Sequence, residues 1–363
     1  MSTKITKRLG AVNRRTFLAA GTAAAASLAL PFGARAQGAG DIRFIHPTPA
    51  KLPLWGITYL AEDMGYYKEA GLTVERIALN GGPAAMTALL AGEGNVNISA
   101  PGEMLAAVAQ GQDISAIEGM TTTDAYTFVV TRAVAEKAGI TAKSSLDDRK
   151  AMLAELKGAR FGITAPGSQT DLETRLAMDL VGLDPASDVQ IVPMGNIINI
   201  ISAMSNNGIE GGVLLPPFTQ RAIVEIGAVP VLHVATGEVP QAARLQGQVM
   251  EARRADLAKH PNLFRALVEA DLKAWQLILE NPEEASAALH KNRFSDLDEN
   301  IWKLVWASQG PTFKTPVIQA DGLRAWLETG LVGGKPDPES FPYDKVIDMS
   351  FVEAGQQKLG LKF

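Results

Sequence analysis

The sequence contains no cysteine among its 363 residues and only four histidines. The absence of cysteine excludes a disulfide framework, a thiolate metal site and a cysteine nucleophile. The histidines stand singly, and no two have the spacing that places metal ligands on one helix face, so we predict neither a metal site nor a cofactor. The serine-hydrolase, phosphate-loop and dinucleotide-binding glycine motifs are also missing. The sequence thus contains no recognisable catalytic motif, and we predict that the protein is not an enzyme.

Acidic residues are missing from the first 36 positions, where all six charged residues are basic. Without this segment, 28 basic residues face 39 acidic ones, a net charge of −11. The apolar run at 17–32, followed by Ala34-Arg35-Ala36, predicts a cleaved export signal over residues 1–36. The run is shorter than the about 20 residues that a transmembrane helix needs. We predict no stable membrane insertion and no nucleic-acid partner.

The export signal contains two adjacent arginines. The run Asn13-Arg14-Arg15-Thr16-Phe17-Leu18 resembles the twin-arginine signal, although an ordinary secretory signal is the alternative. Both routes lead out of the cytoplasm, and the lack of a cysteine after the apolar run excludes a lipid anchor of the bacterial lipoprotein type. We therefore predict a protein of the periplasm.

From residue 41 onward, short apolar stretches alternate with longer amphipathic ones, which predicts α/β lobes with mainly parallel sheets. Gly71 and Gly182 end corresponding helices 111 positions apart, and the turn glycines Gly81 and Gly195 are 114 positions apart. This nearly constant offset predicts two similar lobes. The predicted strands are 42–46, 73–79, 95–100, 159–164, 188–192 and 209–214, and the predicted helices are 54–69, 84–91, 171–181 and 197–205.

Two further apolar stretches, 126–132 and 248–253, lie where the chain passes between the lobes. If they are paired crossover strands, the first lobe is discontinuous, with residues 41–128 plus 251–363, and the second lobe is 129–250. Two crossovers side by side would form a hinge. Beyond them, helical periodicity without a strand predicts helices at 261–279, 282–290 and 297–308.

Polar turns follow the predicted strands. Ligands of open α/β sheets bind outside the carboxyl ends of the strands, and helix amino ends suit anions. Lys51 could face an anionic group and Trp55 could stack on a flat solute, although a solvated lysine and a packed tryptophan are the alternatives. The predicted ligand-binding residues are Thr48, Lys51, Trp55, Asn80, Gly82, Ala100, Gly102, Ser168, Gln169, Thr170 and Asn196.

Several of these polar residues also have a purely structural explanation. Ser168 or Thr170 could simply cap the helix that follows it. Asn80 and Asn196 occupy equivalent turns of the two halves, where asparagine is a common turn former. The sequence leaves both explanations open.

Residues 61–75 carry the most specific pattern of the chain, Ala-Glu-Asp-Met-Gly-Tyr-Tyr-Lys-Glu-Ala-Gly-Leu-Thr-Val-Glu. This run resembles the stretch A-x-x-x-G-Y-F/Y-K-E-x-G-L-x-V-E of periplasmic substrate-binding proteins of ABC transporters. The group concerned binds nitrate, sulfonates and taurine, and it shares its fold with thiamine-precursor-binding proteins. Weaker matches lie at 156–163, 167–168 and 261–267.

The resemblance implies a type II periplasmic binding protein fold, in which two α/β lobes are joined by a two-strand hinge with the ligand cleft between them. It implies a monomer that binds one small solute and delivers it to an ABC permease and its ATPase. It also implies that the turns at 48–55, 80–83, 100–102, 168–170 and 194–196 line the cleft. The enzyme branch of this fold uses a cysteine-rich motif, which this chain lacks.

We therefore predict the periplasmic solute-binding component of an ABC importer, which captures a small organic solute by hinge closure. Lys51 and the helix amino ends favour an anionic solute similar to a sulfonate or an aromatic acid. The alternatives are a pyrimidine, a thiamine precursor or another nitrogen compound as solute, a periplasmic sensory module, and an exported enzyme that acts on a small anion.

Overall fold

The computed structural model describes residues 40–234 and 237–363, so the predicted export signal lies outside the described residues. The described strands are β1 (Gly40–His46), β2 (Leu72–Ala78), β3 (Val96–Ser99), β4 (Ile114–Gly119), β5 (Thr127–Val130), β6 (Arg160–Ile163), β7 (Gln190–Pro193), β8 (Gly211–Leu214), β9 (Val229–His233) and β10 (Val249–Arg253).

The α-helices of the same residues are α1 (Gly56–Asp63), α2 (Tyr66–Glu69), α3 (Gly82–Ala91), α4 (Pro101–Ala109), α5 (Arg132–Ala138), α6 (Leu146–Ala154), α7 (Gln169–Leu180), α8 (Ile197–Ser205), α9 (Phe218–Ile226), α10 (Pro240–Ala243), α11 (Arg254–Lys259), α12 (Pro261–Glu280), α13 (Pro282–Arg293), α14 (Glu299–Gln309), α15 (Ala320–Glu328), α16 (Tyr343–Val346) and α17 (Ser350–Leu359). Short 3₁₀ helices lie at Pro53–Trp55 and Gly310–Thr312. No helix of the described ranges is both long and apolar enough to cross a membrane.

The strands form two five-stranded sheets with the same arrangement. The first sheet has the order β2-β1-β3-β10-β4 and the second has the order β7-β6-β8-β5-β9. In each sheet three strands of one half pair in parallel, and one strand from elsewhere in the chain, β10 or β5, pairs antiparallel with both of its neighbours. Two α/β lobes are therefore confirmed, and the repeated pattern of the sequence corresponds to a repeated sheet.

Strands β5 and β10, which lie within the stretches 126–132 and 248–253, belong to different sheets and do not pair with each other. Strand β5 pairs with β8 and β9, and β10 pairs with β3 and β4, because both strands are buried on both faces and suit the inside of a sheet. The two crossover segments do contact each other, just outside the ends of β4 and β10. The N–H groups of Met120 and Thr121 donate to the carbonyl of Gln248 at 2.8 and 3.2 Å. The lobe boundaries at residues 128 and 250 stay a prediction.

The predicted helix over 54–69 is interrupted. It consists of a 3₁₀ turn, α1 and α2, and Gly65 between the two helices has a φ of +82°. A glycine in the left-handed region ends a helix at little cost because it has no Cβ. Helix α12 packs against α1, α2 and α17 beside the first sheet. The turns that lead to α3, α4, α7 and α8 follow directly after β2, β3, β6 and β7.

Candidate functional site

A cavity of about 50 Å³ lies at the carboxyl ends of the strands, with walls from both lobes. Its position is the one expected for ligands of open α/β sheets. Its walls are largely apolar, with a few polar groups. The lining residues are Pro47, Thr48, Leu52, Leu54, Trp55, Gly82, Ser99, Ala100, Glu103, Tyr126, Thr164, Ser168, Gln169, Thr170, Ile197, Leu215 and Gln248.

The first-lobe wall is built from the starts of α3 and α4. Ala100 is extended, and Pro101 opens α4 at its first helical position, where the missing N–H costs nothing. The first turn of α4 then carries Glu103 to the cavity wall. A Cβ on Gly82 would lie 1.9 Å from Oε1 of Glu103, so glycine at this position leaves room for the carboxyl group.

Glu103 is a buried carboxyl group at the contact between the lobes. The residue is 7% exposed. Its Oε1 accepts a hydrogen bond of 3.2 Å from the backbone N–H of Gln169, at the start of α7. The other oxygen, Oε2, is buried and has no hydrogen-bond partner in the described part of the chain. Burial raises the pKa of Glu103 to about 8, with a smaller contribution from the negative charge of Asp124. Glu103 is therefore mostly neutral at pH 7.

The second-lobe wall contains three hydroxyl groups that bind one another. The N–H of Thr164 donates to Oγ1 of Thr170 at 2.8 Å, and the hydroxyl of Thr164 donates to Oγ of Ser168 at 2.9 Å. The hydroxyls of Ser168 and Thr170 are 3.0 Å apart. Ser168 is the N-cap residue of α7, yet its side chain makes no capping bond to the described helix. These hydroxyls fix the turn that begins α7.

The side chain of Gln169 connects this turn to both crossovers. Its Oε1 accepts hydrogen bonds from the hydroxyl of Tyr126 at 3.1 Å and from Nε2 of Gln248 at 2.9 Å. Its Nε2 donates to the carboxylate of Asp124. Burial raises the pKa of Asp124 to about 6, although the hydrogen bonds from the two glutamines oppose this shift. Gln169 thus binds the first lobe through its backbone and the hinge through its side chain.

Trp55 provides the largest flat surface of the cavity wall. The residue is 2% exposed, its ring centroid lies 4.1 Å from that of His46, and Tyr59 meets it edge-on at 6.4 Å. The indole Nε1–H is buried without an acceptor among the described residues. An unpaired buried donor costs free energy that a bound acceptor would recover.

Most of the predicted site residues meet at this cavity. The ones that line it are Thr48, Trp55, Gly82, Ala100, Ser168, Gln169 and Thr170. Gly102 is next to it at the contact between α4 and α7, where an added Cβ would lie 2.7 Å from Cδ1 of Leu172. The side chains of the turns thus converge as expected for the carboxyl edges of two facing sheets.

Lys51, Asn80 and Asn196 are not among the lining residues. Lys51 is exposed, and its ammonium group donates to the carbonyl of Arg293 at 3.2 Å. Asn80 is exposed as well. Asn196 caps α8 by accepting the N–H of Asn199 at 3.1 Å, a structural role in the turn before this helix.

Sequence reasoning missed the residues that hold the lobes together, Glu103, Tyr126 and Gln248. An acidic residue in the first turn of a helix is ordinarily explained by the helix dipole, which hides the role of Glu103. Tyr126 and Gln248 lie at the ends of the two stretches interpreted as crossover strands. Their position next to the predicted hinge was the one sequence feature that could have assigned them to the site.

Among the described residues that line the cavity, Glu103 is the one carboxylic acid, and no lysine or arginine is present. Within residues 40–234 and 237–363 no group of three or more His, Cys, Asp or Glu side chains is arranged to hold a metal ion. The wall therefore offers one carboxyl group, hydroxyls, amides and an indole to a solute.

The chain is similar to known proteins along most of its length. YtlA of Bacillus subtilis (strain 168), which is named as a binding protein, is 23% identical over 306 residues, 81% of this chain and 84% of that protein. The solved structure of the periplasmic nitrate-binding protein NrtA from Synechocystis PCC 6803 has a TM-score of 0.68 at 14% identity, over 89% of each chain.

A second solved structure is that of the alkanesulfonate-binding protein SsuA from Xanthomonas axonopodis pv. citri bound to MOPS. It has a TM-score of 0.63 at 16% identity, over 85% of this chain and 98% of that one. These likenesses show the fold, which is that of the type II periplasmic binding proteins. A family model described as NMT1-like matches residues 56–290, and the chain therefore belongs to the NMT1-like family.

Proposed function

We propose that this chain is the solute-binding component of an ABC importer of the periplasm, where it binds a small organic solute between its lobes as a monomer. The observation that carries the proposal is the cavity at the carboxyl edges of the two sheets, closed by the bond from Gln169 to Glu103. Membership in the NMT1-like family supports it, and so do the nitrate- and sulfonate-binding names of proteins with the same fold.

The size of the cavity favours opening and closing of the lobes. A volume of about 50 Å³ is far below the roughly 300 to 1,000 Å³ of ordinary small-molecule sites. The lobes must move apart from this arrangement to admit an organic solute, and the two adjacent crossovers provide the hinge. A solute that contacts both walls favours the closed state, which is the form that a permease and its ATPase would accept.

The residues of the cavity wall bear on the class of solute. The expectation of a sulfonate-like or aromatic acid anion depended on Lys51, whose ammonium group binds a backbone carbonyl away from the cavity. The anionic solute stays a prediction that the cavity wall does not favour. A nitrogen compound, the alternative from the sequence, fits the wall better.

Solute binding and closure can be tested in one experiment. The chain has no cysteine, so spectroscopic labels will attach only to introduced ones. Ala84→Cys and Pro166→Cys place labels on exposed positions at either side of the cleft mouth, where Gly81 and Ala165 approach each other. Ala84→Cys with Lys291→Cys keeps both labels on the first lobe as the control.

The solutes to be tested are sulfonates, aromatic carboxylates, nitrate, pyrimidines and amines. We expect one class to shorten the distance across the cleft, leave the control distance unchanged and raise the melting temperature. At 100 times its Kd, a solute adds about 2.7 kcal/mol to the free energy of unfolding. If no solute alters the distance or the melting temperature, the proposed function is wrong.

A further inference from the structure

Glu103 is the one carboxylic acid among the described residues of the cavity wall, and one of its oxygens lacks a hydrogen-bond donor. Its Oε1 has a donor in Gln169, whereas its buried Oε2 has none in the described chain. A carboxyl oxygen buried without a donor is costly, and a ligand N–H would satisfy it. Trp55 adds a buried indole face to the same cavity.

Other carboxyl groups surround this position from several elements. Asp124 of the crossover and Glu251 of β10 are both buried; the charge of Asp124 raises the pKa of Glu103, and the charge of Glu103 raises the pKa of Glu251. Glu173 of α7 is buried beside Asp124. Tyr126, the neutral titratable group facing Glu103, lines the cavity too. The described part of the wall has no basic side chain, so an anion bound here would be buried without a counter-ion, next to any of these carboxyl groups that is ionised.

We infer that Glu103 and Trp55 select a planar organic cation whose N–H groups bind the carboxylate and whose flat face meets the indole. This inference rests on the proposed function and names its substrate class. A cation compensates the charge of the ionised Glu103 carboxylate, and a cation against an indole gains a further electrostatic attraction. An amidinium group fits best, because it is planar and presents parallel N–H donors to a carboxylate.

Cation binding must be coupled to proton release. Because burial raises the pKa of Glu103 to about 8, the carboxyl is mostly protonated at pH 7 and has to ionise for a cation to bind. With that pKa, the affinity for a cation that needs the carboxylate rises at least about tenfold between pH 6 and pH 8. A solute that needs a neutral carboxyl would show the opposite trend above pH 8.

The test uses three probes of one shape, benzamidine as the cation, benzamide as the neutral amide and benzenesulfonate as the anion. Their Kd values are measured by isothermal titration calorimetry between pH 6 and pH 8.5, on the chain without its signal. We expect benzamidine to bind at least tenfold more tightly than benzenesulfonate at pH 8, with an affinity that rises with pH. Glu103→Gln should weaken benzamidine binding at least tenfold and remove its pH dependence.

Glu118→Gln is the matched control, because Glu118 is a buried carboxyl group that does not line the cavity. It should leave the Kd of benzamidine unchanged, and the melting temperature of both variants shows that they fold. Tighter binding of benzenesulfonate than benzamidine, or benzamidine binding that ignores Glu103→Gln, overturns the inference. If benzamidine does not bind but another solute closes the lobes, the inference is wrong and the proposed function stands. If no solute binds, both are wrong.

Discussion

Replacement of Glu103 by glutamine should stabilise the protein in a pH-dependent way. Burial raises the pKa of this carboxyl group from 4.5 to about 8. A group whose pKa is higher in the folded state contributes fully to the free energy of unfolding below its unfolded-state pKa. It loses this contribution as the pH rises through its folded-state pKa. The contribution of Glu103 is therefore complete below about pH 4.5 and is lost as the pH rises to about 8. Glutamine keeps the acceptor for Gln169 and does not titrate.

The size of the stabilisation by Glu103→Gln follows from the pKa shift of Glu103. Each pKa unit corresponds to about 1.4 kcal/mol, so the shift from 4.5 to about 8 amounts to about 3 to 5 kcal/mol at pH 8. An unfolding entropy of about 2.1 cal/mol/K per residue turns this into a rise of about 4 to 7 °C in melting temperature for a chain of this length. The difference between variant and parent should be small at pH 4.5 and grow steadily to pH 8.

The assay is differential scanning calorimetry of the parent and Glu103→Gln at half-unit steps from pH 4.5 to 8.5, without added solute. Glu62→Gln serves as a control of opposite sign. Burial raises the pKa of Glu62, but the charges and hydrogen bonds of Arg76 and Arg293 outweigh this and hold the pKa below its usual value. Its loss should therefore lower the melting temperature more at pH 7 than at pH 4.5. A Glu103→Gln difference that stays constant with pH would refute the reasoning.

Three further substitutions test the geometry of the site. Gly82→Ala places a methyl group where the Glu103 carboxyl lies, so it should break the bond to Gln169 and lengthen the distance between the cleft labels; an unchanged distance would contradict this contact. Asn196→Ala removes the cap of α8 and should cost about 1 kcal/mol in urea unfolding, while leaving solute affinity within twofold. Lys51→Ala should leave the Kd of any solute unchanged in calorimetry, and a loss of tenfold or more would return this lysine to the site.

The fold was largely predictable because the strands and helices follow from local patterns. The helix prediction of 197–205 coincides with α8, and left-handed glycines occur at Gly71 and Gly182 as the turn chemistry requires. The break at Gly65 was missed because the apolar periodicity runs through it. The sequence also did not predict that β5 lies between β8 and β9 and that β10 lies between β3 and β4. Such pairings depend on contacts between residues far apart in the chain.

The sequence by itself determined the α/β class, the two similar lobes and most of the turns that meet at the cavity, since each of these follows from local composition and from the rule for strand ends. The tertiary structure decided which polar side chains face the cavity. It buried Glu103 against Gly82 and left Lys51 in solvent, a choice that depends on how two helix starts from different lobes approach each other. That choice put a carboxyl group, and not the expected ammonium group, in the cavity wall, because burial and proximity, and not residue type alone, fix the electrostatics of a site.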